Sequence, residues 1–101
     1  MIELNRQPVH AGKILREEFL EPLGMTQSHL AKALHTSFRA INELVNEKRG
    51  ITTEMALKLA KYFGTTPQLW LNLQNQFDLY KVSTKKQKEL EAIEIGKFEV
   101  A

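Results

Sequence analysis

The sequence predicts an all-α protein of five helices with a short C-terminal tail, and three observations carry that prediction. Apolar residues recur at three- and four-residue spacing along most of the chain. Ser or Thr stands immediately before four of these stripes, where a side-chain oxygen can satisfy free backbone N–H groups. Only three Pro and five Gly punctuate the 101 residues, and most fall at the ends of stripes.

The first helix is expected from about Ala11 to Leu23. Ala11, Leu15 and Phe19 stand four apart with Ile14 and Leu23 beside them, Lys13, Arg16, Glu17, Glu18 and Glu21 take the other side, and Gly24 ends it. Thr26 caps a second helix, TQSHLAKALH, whose inward residues are Leu30, Ala31 and Leu34. His35-Thr36-Ser37 makes a turn, and Ser37 (or Thr36) caps a third helix, FRAINELVNEKR, which Gly50 stops. Ile41, Leu44 and Val45 form its inner face. Thr52 caps the fourth, with Ala56, Leu59, Ala60 and Phe63 as its stripe and Gly64 at a left-handed C-terminal position. Thr66-Pro67 opens the fifth, with Pro where no amide donor is needed. Trp70, Leu73, Phe77 and Tyr80 share one of its faces, with Leu69 alongside. The alternation Ile93-Glu94-Ile95 and Phe98-Glu99-Val100 around Gly96 reads as a short strand or a loosely held tail. Residues 1–82 form the domain and 83–101 the tail.

Composition removes several classes of function. A hydrophobic content of 43% supports a packed core, and the formal charge of +2 is only mildly suggestive of an anionic partner. There is no Cys, hence no disulfide scaffold, thiolate ligand or thiol nucleophile. No apolar run spans a bilayer and MIELNRQPVH is no signal segment, so a cytoplasmic setting is expected. His10, His29 and His35 include no i, i+4 ligand pair, and no Cys completes a site, so no metal is expected. Ser28 and His29 are helix neighbours pointing in different directions, and no Gly-rich loop follows a strand. Neither a cofactor nor enzymatic activity is expected.

Gln27 to Asn46 carries the informative constellation. Two short helices crossing steeply through a tight turn, a helix-turn-helix, constrain side-chain size at fixed places. The close approach needs a small residue, and Ala31 is fifth from Gln27. The ninth place favours positive φ; it holds His35 rather than Gly, tolerable at some strain. Ile41, fifteenth, supplies the buried β-branched residue that locks the third helix to the second. On the outer face Arg39, Asn42 and Glu43 can reach bases, with Ser37 and Phe38 at the tip; Arg39 suits guanine and Asn42 adenine. Phe38 fits an edge-of-core role nearly as well.

Residues 8–80 resemble the HigA-type antitoxins, also called virulence-associated protein I, of the Xre/lambda-repressor-like superfamily. PVHAGKILREEFLEPLGMTQSHLAKAL and INELVNEKRGITTEMALKLAKYFGTTPQLWLNLQNQFDL carry the likeness, above all KRGIT, FGTTP and LWLNLQ. The resemblance implies a lambda-repressor-like five-helix domain and a type II antitoxin. Such a protein neutralises an mRNA-cleaving HigB-like toxin and, as a homodimer, represses its own operon. It also implies phosphate contacts from Gln27, from Asn46, Lys48 and Arg49, and from the helix start at Thr52 or Thr53. A basic toxin would meet the acidic patch Glu17, Glu18 and Glu21. The fifth helix carries more apolar surface than one core face needs, which makes Trp70, Leu71, Leu73, Phe77 and Leu79 the expected dimer interface on an inverted-repeat operator. A plain Xre-type repressor without a toxin is the alternative. An interaction module that has lost DNA binding is disfavoured, because the basic and amide residues around the third helix are all present.

Overall fold

The computed structural model describes residues 7–99. Helix α1 runs unbroken through Ala11–Ile14, Leu15–Leu20 and Glu21–Leu23, and its middle stretch is widened to π geometry. Pro22 supplies a physical reason: it has no N–H to continue the ladder, and its ring crowds the carbonyl one turn back. The widened turn, where the Glu21 N–H reaches the Arg16 carbonyl, accommodates it. Gly24, at φ 61°, closes the helix.

Helices α2 (Gln27–Ala33), α3 (Phe38–Val45), α4 (Thr53–Phe63) and α5 (Pro67–Lys85) follow, and then a short α6 (Gln87–Glu91). The four expected caps form as read. Thr26 Oγ1 accepts from His29 N at 3.0 Å and Ser37 Oγ from Ala40 N at 3.0 Å. Thr52 Oγ1 accepts from Met55 N at 3.1 Å and Thr66 Oγ1 from Leu69 N at 3.2 Å. The cap of α1 is His10, whose Nδ1 accepts the Gly12 N–H at 2.8 Å.

One core joins α1 to α5. Trp70, wholly buried, sits among Leu15, Leu30, Ile41, Leu44 and Leu59, and its indole Nε1 donates to Thr65 Oγ1 at 2.8 Å. Phe19 stacks between Trp70 and Phe63, at ring separations of 5.0 and 4.8 Å. The backbones of α1 and α3 meet closely at Gly12, where an added Cβ would lie 1.8 Å from the Leu44 carbonyl oxygen. Arg16 Nη1 fastens the same pair by donating to the Val45 carbonyl at 3.2 Å, meeting an unpaired acceptor at the end of α3.

Three expectations are corrected, and one that stood as an alternative is decided. Helix α3 stops at Val45 rather than running to Gly50: Glu47 takes a left-handed φ of 60°, and Lys48 N bonds back to Glu43 O at 2.8 Å. Helix α5 continues past residue 82 to Lys85, and α6 occupies part of the tail. The stretch read as a short strand or a loosely held tail is the latter: no strand forms among the described residues, and Ile93 to Glu99 is exposed irregular chain, Ile95 93% exposed, with no partner strand to pair with it. Val100 lies outside the described residues. Trp70 is the third correction: with no surface to offer, it belongs to the core and leaves the expected dimer interface. Leu71 and Leu73 likewise pack partly against the core, and Phe77 sets its ring edge-on to His10 at 5.0 Å, whereas Leu79 stands 63% exposed.

Beyond Gln74 every described residue except Phe77 is exposed. The radius of gyration of 17.0 Å reflects this projecting arm, since a compact chain of this length would have about 13 Å.

Candidate nucleic-acid interface

The turn between α2 and α3 is a Schellman turn built on a histidine. Thr36 N bonds to Ala31 O at 2.9 Å and His35 N to Lys32 O at 3.2 Å, with His35 at φ 56°. Ala31 is buried at the crossing and Ile41 is fully buried beneath α3, so all three diagnostic places do what their size or backbone requires. Lys58 Nζ donates to the His35 carbonyl at 3.3 Å, tying the turn to α4.

Outward from Ile41, Leu44 and Val45 lies a polar face. Ser37 is spent on its cap, and Phe38 is 52% exposed, which places it at the surface rather than the core edge. Arg39 is the most exposed charge here, its side chain 83% open. Asn42 Nδ2 donates to Gln27 Oε1 at 3.1 Å, so the first residue of α2 and the middle of α3 form one amide pair. Glu43 joins two arginines: its Oε2 accepts from Arg39 Nε at 2.9 Å, and its Oε1 from Arg49 Nη2 at 2.7 Å and Nε at 3.1 Å. The Arg39 hydrogen bond, then that of Arg49, hold this carboxyl below the usual carboxylate range.

Asn46, Lys48 and Arg49 all lie in the exposed loop after α3, and Thr52 is the cap of α4. One buried side chain holds that loop. Gln74 Oε1 accepts the Ile51 N–H at 3.0 Å while its Nε2 donates to Asp78 Oδ1 at 2.9 Å. A Cβ on Gly50 would come within 3.0 Å of Gln74 Cδ, so the glycine makes room for the clamp. Sequence reasoning assigned no part to Gln74 or Gly12. Gln74 lies within LWLNLQ, but nothing local marks it as the loop's partner 23 residues away. Glu17, Glu18 and Glu21 are exposed on α1, with Glu17 paired to Arg16 Nη2 at 3.2 Å. Among the described residues no cluster of His, Cys, Asp or Glu could hold a metal ion, and no helix is long and apolar enough to cross a membrane.

Comparison with known proteins agrees with this geometry. Residues 15–70 match the helix-turn-helix family. Virulence-associated protein I of Dichelobacter nodosus is 51% identical over 84 residues, spanning 82% of this chain and 78% of the relative. Antitoxin HigA-1 of Vibrio cholerae is 38% identical over 89 residues, 88% of this chain and 84% of its own. The structure of the Pseudomonas aeruginosa antitoxin HigA with the higBA promoter superimposes with a TM-score of 0.84 at 39% identity, covering 87% of this chain and 97% of that one.

Proposed function

This chain belongs to the helix-turn-helix family, among its HigA-type antitoxins, and on that premise we propose that it is a DNA-binding antitoxin repressing its own operon. The observation that carries the reading is the crossed pair α2–α3, locked by buried Ala31 and Ile41 and presenting Arg39 and Asn42 outward. Helix α3 enters the major groove, where Arg39 and Asn42 read base edges and Ser37, Phe38 and Glu43 line the approach. Gln27, Asn46, Lys48, Arg49 and the start of α4 at Thr52 hold the flanking phosphates.

A homodimer sets two copies of α3 about one DNA turn, roughly 34–36 Å, apart on an inverted repeat. The exposed apolar surface of α5 around Leu79 supports that pairing, with Phe77 and the outer edges of Leu71 and Leu73 beside it. The second partner is a HigB-like toxin, met by Glu17, Glu18 and Glu21 on α1. The protein works in the cytoplasm, where operator and toxin lie, and performs no catalysis.

Fluorescence anisotropy on duplexes from the chain's own promoter tests the DNA reading. Arg39→Ala or Asn42→Ala should cost about 1–3 kcal/mol and relax preference at one base position, whereas Lys48→Ala should weaken every duplex alike. Unchanged affinity and preference for Arg39→Ala would remove α3 as the reader. Co-purification of the neighbouring gene's product, lost when Glu17, Glu18 and Glu21 are replaced by Lys, tests the toxin face. A chain with no such neighbour is a plain repressor.

A further inference from the structure

Two arginines on a DNA-facing surface raise affinity for any duplex, because each neutralises phosphate whatever the sequence. Here a carboxylate stands between them. Glu43 uses both oxygens, one on Arg39 and one on Arg49, and its side chain is only 25% exposed. Arg39 is held by its Nε alone, so both of its Nη groups are free of hydrogen bonds among the described residues. That free end carries the two donors that match guanine O6 and N7. The trio Arg39, Glu43 and Arg49 therefore carries one net positive charge instead of two, and aims one fork.

We infer that Glu43 is a specificity-determining positioning residue: it touches no base, directs the Arg39 fork and suppresses binding to non-operator DNA. This rests on the proposed reading of α3 as the recognition helix. Ion pairs whose cations stand open to solvent, as those of Arg39 and Arg49 do, contribute little to stability, so the role of the trio lies in binding rather than folding. A carboxylate facing the groove costs affinity on every duplex. It is tolerable because Arg39, aimed by it, recovers that affinity only where guanine is present.

The test compares wild type, Glu43→Gln and Glu43→Asp on the promoter duplex and on a scrambled duplex across a salt series, with circular dichroism confirming the fold. Glu43→Gln restores one phosphate-seeking charge. The salt slope should steepen by about 0.9, and at 0.15 M salt the scrambled duplex should bind about fivefold tighter, from the 0.9 power of the salt concentration. Promoter binding should gain less, so the promoter-to-scrambled ratio falls. Glu43→Asp keeps the charge but is one methylene too short to hold both guanidiniums; it should keep the wild-type slope and still lose base preference. Unchanged slope and unchanged scrambled affinity for Glu43→Gln would overturn the inference. So would a loss confined to a single cytosine position, which would make Glu43 a direct reader. A wild type that fails to prefer its promoter would instead overturn the assignment of α3.

Discussion

Replacing Gly12 by Ala separates two opposed expectations. Helix propensity alone says that Ala in place of Gly stabilises by about 0.8–1.0 kcal/mol in a helix interior, and less in this first turn. The structure says the reverse. An Ala Cβ at residue 12 would lie 1.8 Å from the Leu44 carbonyl oxygen, 2.7 Å from its carbon and 3.1 Å from His10 Nδ1. Leu44 O is backbone, so no rotamer change relieves the contact. Bringing the 1.8 Å approach to the 3.0 Å below which real Cβ contacts essentially never fall requires a separation of 3.0 − 1.8 = 1.2 Å between α1 and α3. Overpacking costs about 1–3 kcal/mol, and a clash against backbone that no rotamer relieves falls in the upper half of that range, about 2–3 kcal/mol. With the propensity gain subtracted, the net loss is about 1–2 kcal/mol, a fall in Tm of roughly 4–16 °C for a domain of this size.

The displacement also carries a functional signature, because Leu44 lies on α3. A shift near 1 Å takes a hydrogen bond of about 2.9 Å beyond useful range. Operator affinity should fall at least about fivefold, one lost contact, at temperatures where the variant is still folded. Thermal denaturation and promoter anisotropy measure the two effects, with Lys13→Ala as a neighbouring control. A Gly12→Ala protein as stable as wild type, or more so, would refute the close approach and the reasoning built on it.

His35→Gly should raise stability by about 0.5–1 kcal/mol, since relief of the left-handed strain exceeds the chain freedom that Gly adds; urea denaturation reads it, and a loss would show that the His35 side chain supports the turn. Burial lowers the His10 pKa from its ordinary 6.5, against the pull of Glu47 and Asp78, so the cap is held by the neutral ring. Its stabilisation is full above 6.5 and declines as pH falls from there through the lowered folded value, so Tm should drop between pH 7 and 5.5, and His10→Asn should flatten that slope. Gln74→Leu leaves the Ile51 N–H buried without a partner and should cost about 1–3 kcal/mol, while weakening promoter and scrambled duplexes equally. Leu79→Glu with Val82→Glu, both well exposed in the single chain, should sediment as folded monomer with weakened promoter binding; a persistent dimer would move the interface off α5.

What the sequence made legible here was chemistry acting within one helical turn. Thr26, Ser37, Thr52 and Thr66 could be named as caps because each oxygen meets an N–H three residues on. The apolar stripes named the core in the same way. His10 was missed because its ring caps by reaching two residues ahead, a duty seldom expected of imidazole. Gly12 and Gln74 were missed because their reasons lie 32 and 23 residues away in other elements.

The Arg39–Glu43–Arg49 trio divides along the same line. Its first half is an i, i+4 pair that any helical wheel displays. Its second half depends on where α3 ends. Had the helix continued to Gly50, Arg49 would stand six residues beyond Glu43, about 240° around the axis at 3.6 residues per turn, and could not have met it. The left-handed Glu47 and the bond from Lys48 N to Glu43 O fold the chain back instead, bringing the Arg49 guanidinium within 2.7 Å of the carboxylate. Early termination of α3 therefore creates the closed trio, because the turn that ends the helix sets its second cation. A non-glycine residue in the left-handed region costs about 1–2 kcal/mol, and Glu47 sits there. Glu47→Gly should relieve that strain while keeping the turn, and hence keep the base preference of wild type. Glu47→Pro, whose ring forbids positive φ, should unfasten Arg49 and lose base preference as Glu43→Asp does, in a protein that still carries the Glu43 carboxylate, with Glu47→Gly as the charge-matched control. A base preference in folded Glu47→Pro equal to that of Glu47→Gly would mean that the backbone turn does not set the pair.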